Sequence, residues 1–325
     1  MNGKPTLASF FAGIGGFDLG FERSGFETVW QCEIKEYCLD VLKHHWPSVP
    51  RESDIKNVRF ADIPESDVWA GGFPCQDISL ARMGSERKGL RGEQSGLFFE
   101  FERLVGEGRP KVILLENVAG LLSSNQGRDL ATVVRSLADF GYGVAWRVLD
   151  SRYFGVPQSR KRVFICAVDG DPEAAAKVLF EPECGDRNFE KSRSDGEKSI
   201  SPFKISVGNA ITGYAKKLAH CVYAEGPRHT GTDWSRNYIS YPDEGEVRRL
   251  TPRESELLQG FPANWTDIGE VPGDTSDSHR YHACGNAVTV PVVEWISSRI
   301  LEHVFSAQRN VGSELAALNP SPTLF

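Results

Sequence analysis

Apolar residues along the chain fall into two alternating patterns, short unbroken runs and stretches with helical spacing. The runs cover 6–11, 27–32, 68–70, 112–115, 144–149 and 162–168. Runs this short and this apolar predict strands buried on both faces. Between them, Phe17, Gly20 and Phe21, then Cys38, Val41, Leu42 and His45, then Phe98, Phe101, Leu104 and Val105, then Leu130, Val133, Val134 and Leu137 recur at intervals of three and four. That spacing predicts helices with one core-facing stripe. The alternation as a whole predicts an α/β fold with a doubly wound, mostly parallel sheet. Ligands of such sheets bind outside the carboxyl ends of the strands.

From about residue 169 the alternation fades. Residues 181–247 are richer in Gly, Ser, Asp and Lys, with strand-like pieces at 218–224 and 238–241 and no helical period. They predict a smaller, loop-rich second domain. Order returns at Thr251-Pro252-Arg253-Glu254, a capping box with proline at the first helical position; the helix carries Leu257 and Leu258 and stops before Gly260. Gly285-Asn286-Ala287-Val288 then leads into a helix through Val292, Trp295, Ile296 and Ile300, and the tail after Ser306 is expected to fray.

Composition narrows the class. At 325 residues and 40% hydrophobic the chain can bury a full core. No apolar run approaches the ~20 residues of a membrane span, and Met1-Asn2-Gly3-Lys4-Pro5 lacks the apolar core of a secretory signal, so a cytoplasmic location is expected. The seven cysteines, at 32, 38, 75, 166, 184, 221 and 284, are odd in number and form no C-x-x-C pair. That argues against a disulfide framework and against a metal site, and His44-His45 is read as helix face, with no metal role. The formal charge of −7 does not exclude nucleic acid, because a binding face needs only local basic clusters. Three exist: Arg82/Arg87/Lys88/Arg91, Arg160/Lys161/Arg162 and Arg248/Arg249/Arg253. Each taken alone also reads as a solvated surface run.

The candidate chemistry gathers at predicted strand ends. Ala12-Gly13-Ile14-Gly15-Gly16 is a glycine-rich turn into a helix, where backbone can approach a ligand and unpaired N–H groups are on offer. Its spacing is not the dinucleotide G-x-G-x-x-G, since Asp18 stands at the third glycine. Glu33 ends the second strand, where a carboxylate can accept hydrogen bonds from a ribose diol. Asp54-Ile55 is read as ending a third. Gly71-Gly72-Phe73-Pro74-Cys75 carries a thiol out of a strand into a loop, a place where it can ionise and attack. Residues 81–94 have no apolar periodicity and read as a lid. Glu116 ends an all-apolar strand and is a candidate proton donor.

Together these stretches resemble the DNA (cytosine-5)-methyltransferase family. The resemblance rests on F-A-G-I-G-G at 11–16, G-F-P-C-Q-D-I-S at 72–79, E-N-V at 116–118, Q-S-R-K-R at 158–162, R-L-T-P-R-E-S at 249–255 and G-N-A-V at 285–288, in the family's order. It implies a Rossmann-like sheet that uses S-adenosyl-L-methionine, with a catalytic and cofactor-binding domain over 1–180 completed by 276–325, and a target-recognition domain over 181–275. By the same resemblance Cys75 attacks carbon 6 of a flipped cytosine, Glu116 acts at ring nitrogen 3 and Arg162 fixes the ring carbonyl. Phe11, Gly13, Ile14, Gly15, Gly16, Glu33, Ile34, Asp54, Ile55, Pro74, Leu97, Asn286 and Ala287 are the implied cofactor residues. Gln76, Ser79, Arg82, Arg87, Lys88, Arg91 and Arg160 are the implied DNA contacts, although Gln158 and Arg160 also read as residues that hold loops and backbone. Arg228 to Arg236 is the expected region of contacts in the recognition domain. Two departures are Ala283, where the family often has glutamine, and Gln94, where arginine is frequent.

The implied partner is duplex DNA, with room for a companion restriction endonuclease, and a monomer is expected. Three other readings compete. An RNA cytosine methyltransferase would share the chemistry blocks, but the ~65-residue recognition insert favours DNA. A catalytically silent DNA-binding regulator is disfavoured by the joint presence of Cys75, Glu116 and Arg162, and a nicotinamide oxidoreductase by the missing third glycine.

Overall fold

The computed structural model describes residues 3–74, 97–181, 203–207, 210–215, 219–222, 238–241, 246–269 and 276–306. Cys75, Gln76, Ser79, Arg82, Arg87, Lys88 and Arg91 lie outside the described residues, as do Gln94 and the stretch 228–236.

The apolar runs form the strands of one seven-stranded sheet. Its members are β1 (Thr6–Phe10), β2 (Glu27–Cys32), β3 (Arg51–Glu52), β4 (Val68–Gly72), β5 (Val112–Val118), β6 (Tyr142–Asp150) and β8 (Lys161–Asp169), in the order β3-β2-β1-β4-β5-β8-β6. The order reverses between β1 and β4, which pair in parallel, so the crevice outside their carboxyl ends is the switch point where such sheets bind ligands. Residues alternate between the two faces: Ile113 and Leu115 join Phe10, Trp69, Phe98 and Phe101 in one apolar layer, and Val112 and Leu114 join Leu7, Phe17, Phe21 and Ile296 in the other.

The helical stripes supply the outer layers. They are α1 (Gly16–Arg23), α2 (Glu36–His45), α3 (Leu97–Gly108), α4 (Arg128–Asp139), α5 (Pro172–Leu179), α6 (Pro252–Leu258), α7 (Asp277–Asn286) and α8 (Val290–Ile300). The capping box forms as read, with Thr251 Oγ1 accepting from the Glu254 N–H and the Glu254 carboxylate accepting from the Thr251 N–H. Between β8 and α6, strands β9 (Phe203–Val207), β10 (Ala210–Ala215), β12 (Tyr238–Tyr241) and β13 (Glu246–Arg249) make an antiparallel sheet in the order β13-β12-β10-β9. A two-residue strand β11 (Ala219–His220) pairs with β7 (Gln158–Ser159). The segment 252–268, within the range read as the recognition domain, packs on the loop after β1: the Trp265 indole donates to the Ile14 carbonyl at 2.8 Å.

Local expectations are refined at three places. Asp54 does not end a strand; β3 stops at Glu52, and the Asp54 side chain caps the short 3-10 turn Ile55–Asn57 by accepting from the Lys56 N–H at 3.0 Å. A short polar residue that can accept from the backbone two positions on competes with strand pairing. Of the strand-like 218–224 the structure describes 219–222, and among these Ala219 and His220 pair with β7. His45 is not full core; it is half-buried, stacked on the Trp265 ring at 3.4 Å between centroids.

The direction of β8 matters most for the site. It runs antiparallel to both β5 and β6, against the sense of the other strands. Its amino end therefore lies beside the carboxyl end of β5, and that inversion brings Arg162 to the edge that holds Glu116.

Candidate active site and cofactor loop

At the carboxyl end of β4, Gly71 pairs with Leu115 and Gly72 with Glu116. Both glycines answer a close approach. A Cβ on Gly71 would meet the Phe10 carbonyl oxygen at 2.5 Å, and one on Gly72 would lie 3.1 Å from Glu116 Oε2. The chain continues through Phe73, whose carbonyl accepts from Asn117 Nδ2 at 3.2 Å, to Pro74. The next residue is Cys75. The strand pair thus fixes the direction of approach to the thiol-bearing loop from the same strand, β5, that carries the acid.

Arg162 pairs with Val118 across β5 and β8, which puts it diagonally opposite Glu116 on one face of the sheet. Its Nε is 3.0 Å from Glu116 Oε1. The N–H is not aimed along a hydrogen bond, so Oε1, although buried, has no hydrogen-bond partner among the described residues. A carboxyl oxygen without a hydrogen-bond partner, held beside a guanidinium, leaves two groups able to donate to a polar ring, the carboxyl once it is protonated and the guanidinium as it stands.

Arg160, two residues earlier, is 2% exposed. Nη1 donates to the carbonyls of Val222 and Gly285, each at 3.2 Å, and Nη2 to that of Ala287 at 2.8 Å. Gln158 is fully buried; its Nε2 donates to the Leu258 carbonyl at 2.8 Å and its Oε1 accepts from the Val222 N–H at 2.9 Å. Of the two roles read for Arg160, holding backbone is the one its hydrogen bonds show. The two buried residues tie four separated stretches, around 158–160, 221–222, 258–259 and 285–287, into one junction.

The glycine turn is built from backbone. Phe11, Gly13 and Gly15 take positive φ of 51°, 56° and 83°. Gly15 is pressed against Trp46, whose ring would be 2.4 Å from an added Cβ, whereas a Cβ on Gly13 would meet nothing within 4 Å. Glu33 is buried at 8% exposure and accepts from the N–H groups of Gly13 at 2.8 Å and Lys35 at 2.9 Å. Beneath the turn, Asp18 is fully buried and accepts from Ser9 Oγ and Gln31 Nε2, each at 2.9 Å. Desolvation outweighs those two bonds and pushes its carboxyl up to about 6.

The remaining implied cofactor residues divide. Ile34 is an exposed apolar side chain, 63% accessible, directly after Glu33, and Asn286 is exposed at the end of α7. Pro74 and Leu97 are partly accessible. Ile14, Ile55 and Ala287 are core residues, at 1%, 3% and 6% exposure. A cleft beside Ile34 is lined by Lys35, Tyr37, His279, His282 and Ala283. Sequence reasoning passed over His282, which approaches Lys35 Nζ and Asn286 Nδ2, both at 3.2 Å. Burial, Lys35 and His279 lower its pKa, which favours the neutral ring, whose single acceptor lone pair at Nδ1 the two donors share. The fit to S-adenosyl-L-methionine is good on three counts: open space over Gly13, a carboxylate at Glu33 fixed by backbone, and an exposed apolar surface at Ile34. Among the described residues no cluster of His, Cys, Asp and Glu could hold a metal ion, and no helix is long and apolar enough to cross a membrane.

The comparisons with known proteins agree with one another. The family model described as C-5 cytosine-specific DNA methylase matches residues 6–204 and 187–302. The chain is 33% identical over 309 residues to the type II methyltransferase M2.BsuMI of Bacillus subtilis (strain 168), covering 90% of this chain and 75% of that one. It is 38% identical over 336 residues to the type II methyltransferase M.NgoFVII of Neisseria gonorrhoeae, covering 92% and 87%. Its fold is similar to that of the Entamoeba histolytica methyltransferase EhMeth, with a TM-score of 0.67, 18% identity and coverage of 94% and 99%. The S. pombe Dnmt2 methyltransferase gives a TM-score of 0.63 at 19% identity, covering 92% and 99%.

Proposed function

The chain belongs to the C-5 cytosine-specific DNA methylase family and is a DNA (cytosine-5)-methyltransferase, and from that premise we propose that it methylates a cytosine within a specific duplex sequence through a covalent adduct with Cys75. The observation that carries this reading is the Glu116–Arg162 pair, 3.0 Å apart at the carboxyl end of β5, next to the strand that leads into Cys75.

Carbon 5 of cytosine is a poor nucleophile. Addition of the Cys75 thiolate to carbon 6 turns the ring into an enamine and makes carbon 5 reactive, splitting one difficult step into easier ones. Charge builds on the ring as sulfur adds. Glu116 meets ring nitrogen 3, where its hydrogen bond or proton draws that charge off, and Arg162 donates to the ring carbonyl. The pair is fixed before the base arrives, so little reorganisation is needed when it does. Loss of the proton from carbon 5 later expels the cysteine. The target atom sits inside the duplex, so the base is flipped out at a cost of a few kcal/mol.

The methyl donor is S-adenosyl-L-methionine, which supplies an electrophilic methyl on a sulfonium centre when bound. The turn at Phe11 to Gly16 would hold its methionine part, Glu33 the ribose diol, and Ile34 with the Asp54 turn the adenine, with Pro74, Leu97 and Asn286 completing the site. Gln76, Ser79, Arg82, Arg87, Lys88 and Arg91 would grip phosphates from the loop. The domain over 181–275 would read the sequence. We place the protein in restriction–modification, with a solitary modifier as the other reading, because the relatives it matches are type II methyltransferases.

The test is an adduct. Incubated with the cofactor and a duplex carrying 5-fluorocytosine at the methylated position, the protein should form a complex that survives denaturation, and Cys75→Ala should form none. A wild-type protein that binds this duplex and gives no adduct sinks the mechanism.

A further inference from the structure

Cys221 lies within the range read as the recognition domain, and nothing in its sequence surroundings marks it. The structure puts its sulfur between two guanidinium groups. Arg160 Nη1 is 3.2 Å from Sγ and Arg162 Nη2 is 4.0 Å from it. Arg162 therefore has Glu116 at Nε, the Lys161 carbonyl at Nη1 at 2.8 Å, and the Cys221 sulfur at Nη2.

The charges around this point do not balance without the sulfur. Arg160 is buried, and the oxygen partners of its guanidinium are carbonyls, which carry dipoles and no net charge. Its Nε is buried without a hydrogen-bond partner among the described residues. A buried cation without a counter-charge is costly, and a second cation, Arg162, raises that cost. The acids described near the two are Glu116, which is paired with Arg162, Asp150, which is paired with Arg152 and accepts from the Arg160 main-chain N–H at 3.2 Å, and Cys221. As a neutral thiol, Cys221 can donate to the Val222 carbonyl at 3.5 Å, an oxygen that already accepts from Arg160.

We infer that Cys221 is a positioning residue for the methyl-transfer reaction: its sulfur stands as an anion between Arg160 and Arg162 and fixes the guanidinium that Arg162 turns toward the base. The inference rests on the proposed role of Arg162. It makes the recognition segment a supplier of one wall of the catalytic pair, because Cys221 belongs to the stretch that Gln158 and Arg160 pin at Val222. The direction of the thiol's ionisation agrees. Burial works against the thiolate, but Arg160 and Arg162 outweigh it and hold the thiol below its usual range. The charged groups facing Cys221 among the described residues are Arg160 and Arg162, with Glu116 behind Arg162.

Two measurements test it. The first is labelling of the intact protein with iodoacetamide between pH 6 and 9, with the Cys221 and Cys75 peptides quantified separately by mass spectrometry. The thiolate displaces iodide and forms an S–C bond, so the rate follows the ionised fraction. The Cys221 peptide should reach half its maximal rate below pH 8.5 in wild type and at higher pH in Arg162→Gln; an ordinary profile in both overturns the anion. The second is steady-state kinetics of Cys221→Ala, Cys221→Ser and Cys221→Asp, with cofactor affinity and melting temperature as folding controls. Loss of the anion should lower kcat by about tenfold in the Ala and Ser variants, with KM for the cofactor unchanged. Asp should restore most of that loss, because it returns the charge that a hydroxyl does not. Ser with wild-type kcat, or Ala and Asp with equal losses, overturns the proposal. Arg162→Ala separates the two readings: if it keeps full activity the role given to Arg162 is wrong, whereas a dead Arg162→Ala beside an unimpaired Cys221→Ala refutes the positioning role alone.

Discussion

The two halves of the crevice are built on different physics. On the side proposed for the cofactor, around Phe11 to Gly16 and Glu33, the groups on offer are main-chain N–H groups, positive-φ residues and one carboxylate fixed by the N–H groups of Gly13 and Lys35. On the side proposed for the base, around Glu116, Arg160 and Arg162, the groups are ionisable side chains brought together from β5, the start of β8 and the stretch at 221. The first is a local device, made within about twenty residues of chain, and its shape is set by close packing. The second is a long-range device, and its cost is the desolvation of charge. Damage should respect that division: the cofactor side should fail through geometry and affinity, the base side through turnover.

The strongest way to sharpen the contrast is Glu116→Gln, which keeps size and removes the proton and charge. We expect kcat to fall about 10²- to 10⁴-fold with cofactor affinity unchanged, measured by methyl incorporation and by calorimetric titration. Equal losses in both would erase the distinction. Arg160→Leu comes next. It strips donors from the Val222, Gly285 and Ala287 carbonyls, so unfolding in urea should show a loss of about 3 kcal/mol and both halves should suffer, since Arg160 lies under each.

Asp18 tests the cofactor side by pH. Its carboxyl is raised from 3.8 to about 6, so the folded state holds the proton that the unfolded state releases. Its contribution is therefore present below pH 4 and is withdrawn as pH rises through 6, by roughly 3 kcal/mol at about 1.4 kcal/mol per unit. Asp18→Asn should flatten the fall in unfolding free energy between pH 4 and 7 by an amount of that order; an unchanged slope would assign the pH dependence elsewhere. The smallest effect is expected from Gly15→Ala, where positive φ and the Trp46 ring oppose a Cβ. A cost of about 2 kcal/mol should appear as weaker cofactor binding with kcat at saturation near wild type.

The same difference explains how far each half was legible in the sequence. Residues 11–16 and Glu33 announce themselves because a glycine turn between an apolar run and a helical stripe needs only local pattern to be recognised. Cys75 and Glu116 are marked by standing at the ends of such runs. Arg162 was placed by resemblance, since nothing in the run at 162–168 reveals that β8 lies antiparallel; an apolar strand buried on both faces reads the same in either direction. Had β8 been parallel, Arg162 would face the opposite edge. Asp54 misled because its position after a short polar run looked like a strand end, while its side chain prefers to cap the turn it sits before. Cys221 had no signal at all, because its two partners lie about sixty residues away in the chain. The basic loop residues from Arg82 to Arg91 lie outside the described residues, and their reading as phosphate contacts still rests on resemblance.

Gln158 and Arg160 hold the stretch at 221–222 through the N–H and carbonyl of Val222, atoms that every residue type except proline provides. A socket that grips main chain is indifferent to the side chains beyond it. If the range 181–275 reads the target sequence as proposed, segments of unrelated sequence can be exchanged between relatives at this seam without redesigning the rest, provided the incoming chain presents the same backbone pair and, at position 221, a side chain able to carry negative charge. Inheritance of new target sequences would then proceed by swapping cassettes, with the junction as the fixed connector.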